Sequence, residues 1–511
     1  MQDFTDLFDR WAANQMRTVK ASWDLANTMQ DYWAGQLLYD KNMVQPLLKS
    51  MFNFGKAEVE KLAEAPWSDV WTEYASLWGF AFVLFHQGLQ GRMEAMGHYH
   101  RQQLQELFEA LGPSEEGRAA EVEKIFDHLA HETRMARMMV EEYPRAIREI
   151  EPEFGFHFER GGSTLVDETD RFYLYLVHPT NHEASVDERA KPVLIVHPYV
   201  LGADILAFLP GEDKSYTHCF ANMGIPTYIR VLKDVADTPA VQLLTPEEDI
   251  LDTRYFCERI TSRHGKKVTL NGYCQAGLMT LVQILSGELD GLVDAHITCV
   301  SPIDGSRSTR FNWFLSNLPA RFNDLRYGTK TLPNGNRVAD GDLMSWVFKL
   351  RSIEEEDSAV SFYRDLSMLK KTGGRIPKTA AALNYWLNYQ RHDLPLGITR
   401  MSFLSYNRPI SDDGTMPMRV FGRKLNIKGI EERGIPWLIC YGESDTLVEK
   451  DTALAPLDYI RAEVTPFPKG HVAIATSWSH PASECALHTV FDEDGRRGPV
   501  RFQLDLDSAG G

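Results

Sequence analysis

The stretch Val268-Thr-Leu-Asn-Gly272-Tyr-Cys274-Gln-Ala276-Gly277-Leu-Met-Thr280 decides the fold. Its β-branched start predicts a strand over 268–270, and the run that follows Cys274 predicts a helix over Gln275–Leu285. A strand that turns directly into a helix through Gly-x-Cys-x-Ala-Gly has the form of a nucleophile elbow with Cys in place of Ser. So tight a turn needs small residues two before and two after the nucleophile, and Gly272 and Ala276 satisfy it. At the N-terminus of the helix, unpaired N–H groups and the helix dipole favour a thiolate and an oxyanion. The N–H of Gln275 would be one oxyanion donor. The same residues also read as an inert buried cysteine at a strand end, so the choice falls to the rest of the chain.

Working outward, short β-branched and aromatic runs at 172–177, 193–196, 227–231, 296–300 and 437–440 read as buried strands. Helical stretches such as 247–262 separate several of them, the signature of a parallel sheet covered on both faces and hence of an α/β fold. The strand at 437–440 runs into Tyr441-Gly-Glu-Ser-Asp445, and Phe467-Pro-Lys-Gly-His471 follows. Nucleophile, acid and base thus occur in the order Cys274, Asp445, His471, which is the order an elbow of this kind requires. His471 would take the thiol proton, and Asp445 would fix its tautomer and stabilise the imidazolium. Taken singly, Asp445 also reads as a turn residue and His471 as a surface residue. Asp304, after an earlier strand, is the reserve acid, and Glu443 a weaker one. Upstream, Val193-Leu-Ile-Val-His197-Pro-Tyr199-Val200 is a strand and the loop expected to give the second oxyanion N–H, from Tyr199 or Val200; His197 reads as structural or pocket-lining.

Two regimes divide the chain near residue 150. Before it, apolar residues recur at helical spacing, as in Val122, Ile125, Phe126 and Leu129, and 1–150 is expected to be an all-helical domain. Within it, Leu111-Gly112-Pro113-Ser114 is expected to end one helix and cap the next, with Ser114 as N-cap. Residues 151–511 form the α/β part, interrupted from about 305 to 430 by mostly helical, Trp/Tyr-rich sequence that reads as an inserted cap. The run Leu332-Pro333-Asn334-Gly335-Asn336 looks like a turn, and the tail from Asp492 to Gly511 reads as a loosely held end.

The chain has 511 residues, 43% hydrophobic and 24% charged, too apolar for a disordered protein. Its formal charge of −17, from 54 basic and 71 acidic side chains, repels polyanions and argues against nucleic-acid binding. The first residues, MQDFTDLFDRW, carry acids and aromatics where a signal peptide would need a basic and then an apolar segment, so a cytoplasmic protein with six reduced cysteines is expected. The longest apolar stretch, residues 77–85, is far short of the ~20 residues that span a membrane. No metal-ligand spacing is present: the pairs His98/His100 and His128/His131 lack a third ligand.

At the residues quoted, the chain resembles the polyhydroxyalkanoate synthases, α/β-hydrolase-fold polymerases with a catalytic Cys in a lipase-like box. The match runs over roughly 150–480 and includes the loop at His197-Pro198, the elbow at Cys274, the strand end Ser301–Asp304, the segment from Asn384-Tyr-Trp386 to Asp393-Leu-Pro395, and the loops at Gly442…Asp445 and Gly470-His471. The sequence departs from the family where Ala276 replaces the first of two paired glycines, where Thr446 replaces a His, and where His197-Pro198-Tyr199 replaces Pro-Pro-Trp. The resemblance implies that Cys274 holds the growing chain as a thioester, with an (R)-3-hydroxyacyl-coenzyme A as substrate and no separate cofactor. Such an anionic substrate needs a local counter-charge. From 305 to 330 there are five basic residues, Arg307, Arg310, Arg321, Arg326 and Lys330, against one acid, Asp324, a candidate phosphate site that also reads as a solvated helix face.

Three function classes follow: a synthase-like acyltransferase; a cysteine hydrolase of the same fold, such as an intracellular polyhydroxyalkanoate depolymerase or a thioesterase; and a non-catalytic granule-associated protein. The tryptophans of the helical part, Trp11, Trp23, Trp33, Trp71 and Trp78, read first as core or helix-pairing residues. The sharper alternative is that 77–85 and its neighbours adsorb to a polymer granule or form an interface with another subunit, as a homodimer or with a second protein.

Overall fold

The computed structural model describes residues 2–62, 70–110, 118–491 and 493–508. The expected cap at Ser114 lies outside them, as do the side chains of Trp11 and Val122. The chain forms two compact units, and they do not follow a single cut at residue 150. One comprises residues 1–51, 74–150 and 352–385; the other comprises 52–73, 151–351 and 386–511.

The first unit is built from helices α1 (Gln2–Leu62, whose last eleven residues fall in the other unit), α2 (Val70–Ala110, whose first four do), α3 (Arg118–Val140) and α4 (Glu142–Glu149), together with the later helices Ser358–Lys371 and Lys378–Tyr389, the latter up to Tyr385. Its core is Tyr99, Met135, Met139, Tyr143, Phe362, Leu366 and Leu369, all buried. Polar clasps accompany it: Tyr32 and Tyr99 both donate to Glu132, and Tyr39 donates to Asp365 at 2.7 Å. These contacts explain why 352–385, which the sequence assigns to the cap, groups with the N-terminal helices: Phe362, Leu366 and Leu369 supply one wall of their core. Core packing accounts for none of Trp23, Trp33, Trp71 or Trp78, which are 66%, 70%, 71% and 74% exposed.

The second unit is organised by an eight-stranded sheet: β1 (Ser163–Glu168), β2 (Phe172–Val177), β3 (Val193–Val196), β4 (Thr227–Leu232), β5 (Val268–Tyr273), β6 (Val293–Cys299), β7 (Trp437–Gly442) and β8 (Glu463–Phe467). The order is β1-β2-β4-β3-β5-β6-β7-β8, with β2 antiparallel to both of its neighbours and every later pair parallel. This is the α/β-hydrolase arrangement. Strands β3 and β5 are buried along their whole length, as strands covered on both faces must be. Flanking helices include α5 (Pro246–His264), opened by a Thr245/Glu248 capping box and closed by Gly265, then α6 (Gln275–Leu285), α7 (Leu396–Asn407) and α8 (Pro499–Ser508).

Several expectations are corrected. β2 is an antiparallel strand with alternating burial, not a parallel one. β1 escaped the sequence reading because it is polar and carries a bulge between Leu165 and Asp167. The run 332–336 is a turn as expected, the loop of a hairpin joining Thr329–Thr331 to Arg337–Ala339. The C-terminal tail is anchored: α8 buries Val500 and Phe502, and Gln503 donates to the Lys191 carbonyl at 2.8 Å. Among the described residues no helix is long and apolar enough to cross a membrane.

Candidate active site

Cys274 stands at the junction of β5 and α6 with φ 53° and ψ −125°, a conformation that L-residues with a side chain adopt only under strain. The surroundings impose it. A Cβ on Gly272 would lie 2.6 Å from the Ala276 carbonyl, and one on Gly277 would lie 2.0 Å from Ser301 Oγ. Both glycines are therefore demanded by close approach of the turn to its own helix and of α6 to the end of β6. The Cys274 N–H donates to the Cys299 carbonyl at 2.8 Å, tying the elbow to the neighbouring strand. Cys274 is 6% exposed.

His471 and Asp445 are brought together, with Nδ1 of the imidazole 2.8 Å from Oδ2 of the carboxylate. The other carboxylate oxygen accepts from the backbone N–H groups of Leu447 (2.8 Å) and Val448 (2.9 Å), which fixes the acid's orientation. The two loops meet closely, since a Cβ on Gly442 would lie 2.5 Å from the Lys469 carbonyl. His471 is in turn tied to the elbow, because the hydroxyl of Tyr273, the residue before Cys274, donates to the His471 carbonyl at 2.9 Å. Nε2 of His471 is buried with no partner in strict hydrogen-bond geometry among the described residues. Cys274 is near enough to act on the ring. Burial opposes charge on this imidazole, but Asp445 and then Cys274 outweigh it and push its pKa up to about 10. These two neighbours favour the charged form of the imidazole.

One contact distinguishes the surroundings of Val200 from those of Tyr199. The N–H of Val200 points to the elbow and donates to Oε1 of Gln275 at 3.3 Å, while Nε2 of Gln275 donates to Ser402 Oγ at 2.9 Å. The side chain of the residue after Cys274 thus caps the Val200 N–H. Tyr199 contributes differently: its hydroxyl donates to Asp249 (2.5 Å) and accepts from Arg230 (2.5 Å), a buried ion pair that holds the loop carrying Val200. His197 is buried, accepts from the Leu232 N–H at 3.1 Å through Nε2, and has its pKa lowered to about 3 by burial, consistent with a neutral structural ring. Asp304 is engaged elsewhere, accepting from Ser306, Arg307 and the Ile410 N–H, and Glu443 is exposed.

The basic residues of 305–330 are met by acids that the local count could not show. Arg307 pairs with Asp458 and Asp304, Arg321 with Glu58, Arg326 with Asp324, and Lys330 with Asp393. The backbone N–H of Arg310 donates to Glu449 at 3.0 Å. The five do not form one bare patch.

Sequence reasoning missed Ser402, which reaches the elbow from α7, and Arg351. The buried Arg351 guanidinium donates to the Thr446 (2.9 Å) and Leu447 (3.0 Å) carbonyls beneath the acid loop. No local signal marks either residue. Among the described residues no group of three or more His, Cys, Asp or Glu side chains is arranged to hold a metal ion.

Neither a protein-family model nor a curated protein matches the chain. Solved structures similar to it include an esterase from Rhodococcus sp. ECU1013 (10% identity, 68% of this chain and 98% of that chain, TM-score 0.34). Two others are Est1E from Butyrivibrio proteoclasticus (11%, 61% and 91%, 0.30) and the thioesterase domain from the curacin biosynthetic pathway (10%, 61% and 94%, 0.33). The fold assignment rests on the strand order and the elbow described above: the chain has the α/β-hydrolase fold.

Proposed function

We propose that the protein is an acyltransferase of the polyhydroxyalkanoate synthase kind, using Cys274 as nucleophile, His471 as general base and acid, and Asp445 to orient and charge the imidazole. The observation that carries this reading is a buried thiol in a strained elbow, next to an imidazole already held toward its charged form. With the Cys274 proton resting on the His471 imidazolium, Sγ bonds to the carbonyl carbon of a 3-hydroxyacyl-coenzyme A, and the N–H groups of Gln275 and Val200 receive the oxyanion. The Gln275 side chain must first leave Val200. Collapse breaks the bond to coenzyme A, whose sulfur takes the proton from His471. The hydroxyl of a second acyl group then gives its proton to His471 and attacks the enzyme thioester, forming an ester and restoring the thiol. Exchange of one thioester for another is nearly thermoneutral and leaves the acyl group activated, which a serine ester would not, so cysteine suits transfer.

The exposed apolar residues of the helical unit support a surface role for that unit, against a polymer granule or a second subunit. Incubation of the purified protein with 3-hydroxybutyryl-coenzyme A, with thiol release and product size both measured, tests the reading. Polymer with released coenzyme A supports it. Release with only free acid makes the protein a hydrolase, and no release leaves a binding role.

A further inference from the structure

On the α/β unit lies a cavity of about 500 Å³ lined by Leu396, Arg400 and Phe403 of α7, by Asp324 and Arg326 of the preceding turn, and by Arg337 of the hairpin. Leu396, Arg400 and Phe403 are spaced i, i+4, i+7, so they share one face of the helix. Its volume is in the range of small-ligand pockets. Three arginines and one aspartate line it, in a chain of net charge −17. Asp324 is already offset, since Lys61 lies 2.9 Å and Arg326 3.0 Å from it. Arg337 donates to Thr329 Oγ1 at 3.0 Å and has Glu60 at 3.7 Å. The Arg400 side chain makes no ion pair or hydrogen bond among the described residues and is exposed to solvent. An excess of positive charge gathered on a concave wall, with an aromatic ring beside it, is the chemistry that recognises a phosphate-bearing ligand.

Helix α7 also links this wall to the elbow. Ser402 holds Gln275 from one side of the helix, while Phe403, the next residue, lines the cavity. A helix is only ~10 Å across. We propose that the cavity holds the diphosphate end of the acyl carrier, with Arg400 and Arg337 as its counter-charges; this rests on the acyl-transfer reading of Cys274 for the identity of the ligand.

The test uses the full-length Cys274→Ala protein, so that nothing turns over, and titration calorimetry with three probes: coenzyme A, inorganic pyrophosphate, and pantetheine, which lacks phosphate. Coenzyme A and pyrophosphate are expected to bind and pantetheine to bind at least tenfold more weakly. Arg400→Ala and Arg337→Ala should each weaken coenzyme A about tenfold, and Arg254→Ala, on an exposed pair of α5, should leave it unchanged. Equal affinity in the Arg400 and Arg337 variants overturns the proposal, as does binding of pyrophosphate without coenzyme A. If the wild type forms no acyl-enzyme but coenzyme A still binds in an Arg400-dependent way, the chemistry at Cys274 falls and the phosphate site stands.

Discussion

Trp437 and Trp33 carry the same side chain into opposite surroundings. In the α/β unit Trp437 is 2% exposed, and its indole N–H donates to Thr298 Oγ1 at 2.9 Å, across from β7 to β6. In the helical unit Trp33 is 70% exposed, and Trp78, Phe82 and Phe85 of α2 are similarly bare. The α/β unit consumes its apolar side chains internally to fix a few polar groups: Arg230, Asp249 and Tyr199 behind the Val200 loop, and Tyr273 beneath His471. The helical unit closes a smaller core with Tyr99, Met135 and Phe362 and leaves long apolar faces uncovered. One unit spends its apolar side chains on its own interior, and the other leaves many of them in solvent.

The comparison breaks first if the α/β unit holds nothing catalytic. Cys274→Ala should lower thiol release from 3-hydroxybutyryl-coenzyme A by ~10³-fold or more, as removal of a nucleophile does, with unfolding by denaturant little changed. Turnover at the wild-type rate would take the elbow out of the mechanism. In the same unit, Leu270→Ala on the fully buried β5 should cost ~2–5 kcal/mol of stability by the cavity it opens. A cost below ~1 kcal/mol would contradict the dry packing on which the contrast depends.

That much was legible in the chain because the constraints are local. The elbow needs small residues at fixed offsets, and Asp445 and His471 follow strands whose β-branched runs stand out. What was hidden depends on partners far away in sequence. The residues that neutralise Arg321 and Lys330 are Glu58 and Asp393, so a count over 305–330 registered an excess that folding removes. Gln275 was legible as a backbone donor but not as a side chain spanning Val200 and Ser402. Helical periodicity showed that Trp23 and Trp33 share a helix with apolar neighbours, without saying which faces find a partner.

The acid–base pair gives a pH signature. The pKa of His471 is raised to about 10 from its ordinary 6.5, so its contribution to stability is fully present below pH 6.5 and is lost as pH rises through about 10. Asp445→Asn removes the main support for that charge and should destabilise by roughly 1.5–3 kcal/mol near pH 6.5, the range for hydrogen bonds to charged groups. The gap between wild type and variant should close by about pH 10–11 as the wild-type imidazolium deprotonates. A gap that stays constant across that window in urea titrations would show that the imidazole is not held charged.

Gln275→Ala sharpens the picture of the site at rest. Its carboxamide occupies the Val200 N–H and must be displaced by the acyl oxygen, so removing it should accelerate acylation by roughly fivefold, the equivalent of one neutral hydrogen bond of ~1 kcal/mol. Rapid-quench measurement of the acyl-enzyme reads this step apart from later ones. Slower acylation would mean that the side chain assists the oxyanion and does not block its donor.

The smallest effect on stability is expected where the largest side chains are. Trp33→Ser and Trp78→Ser alter surfaces that the fold leaves in water, so each should change unfolding free energy by no more than ~0.5 kcal/mol. The same substitutions should reduce sedimentation of the protein with polyhydroxybutyrate particles, or its sedimentation mass in solution. Deleting 1–150 would test this poorly, because Phe362, Leu366 and Leu369 of the helix Ser358–Lys371 share the N-terminal core and would be stripped by the deletion. Point substitutions leave that core intact. Unchanged adsorption and unchanged mass in the double variant would break the comparison from its other side, since the bare apolar faces would then present nothing. A loss of several kcal/mol of stability would break it differently, by showing that these tryptophans are covered in the folded protein.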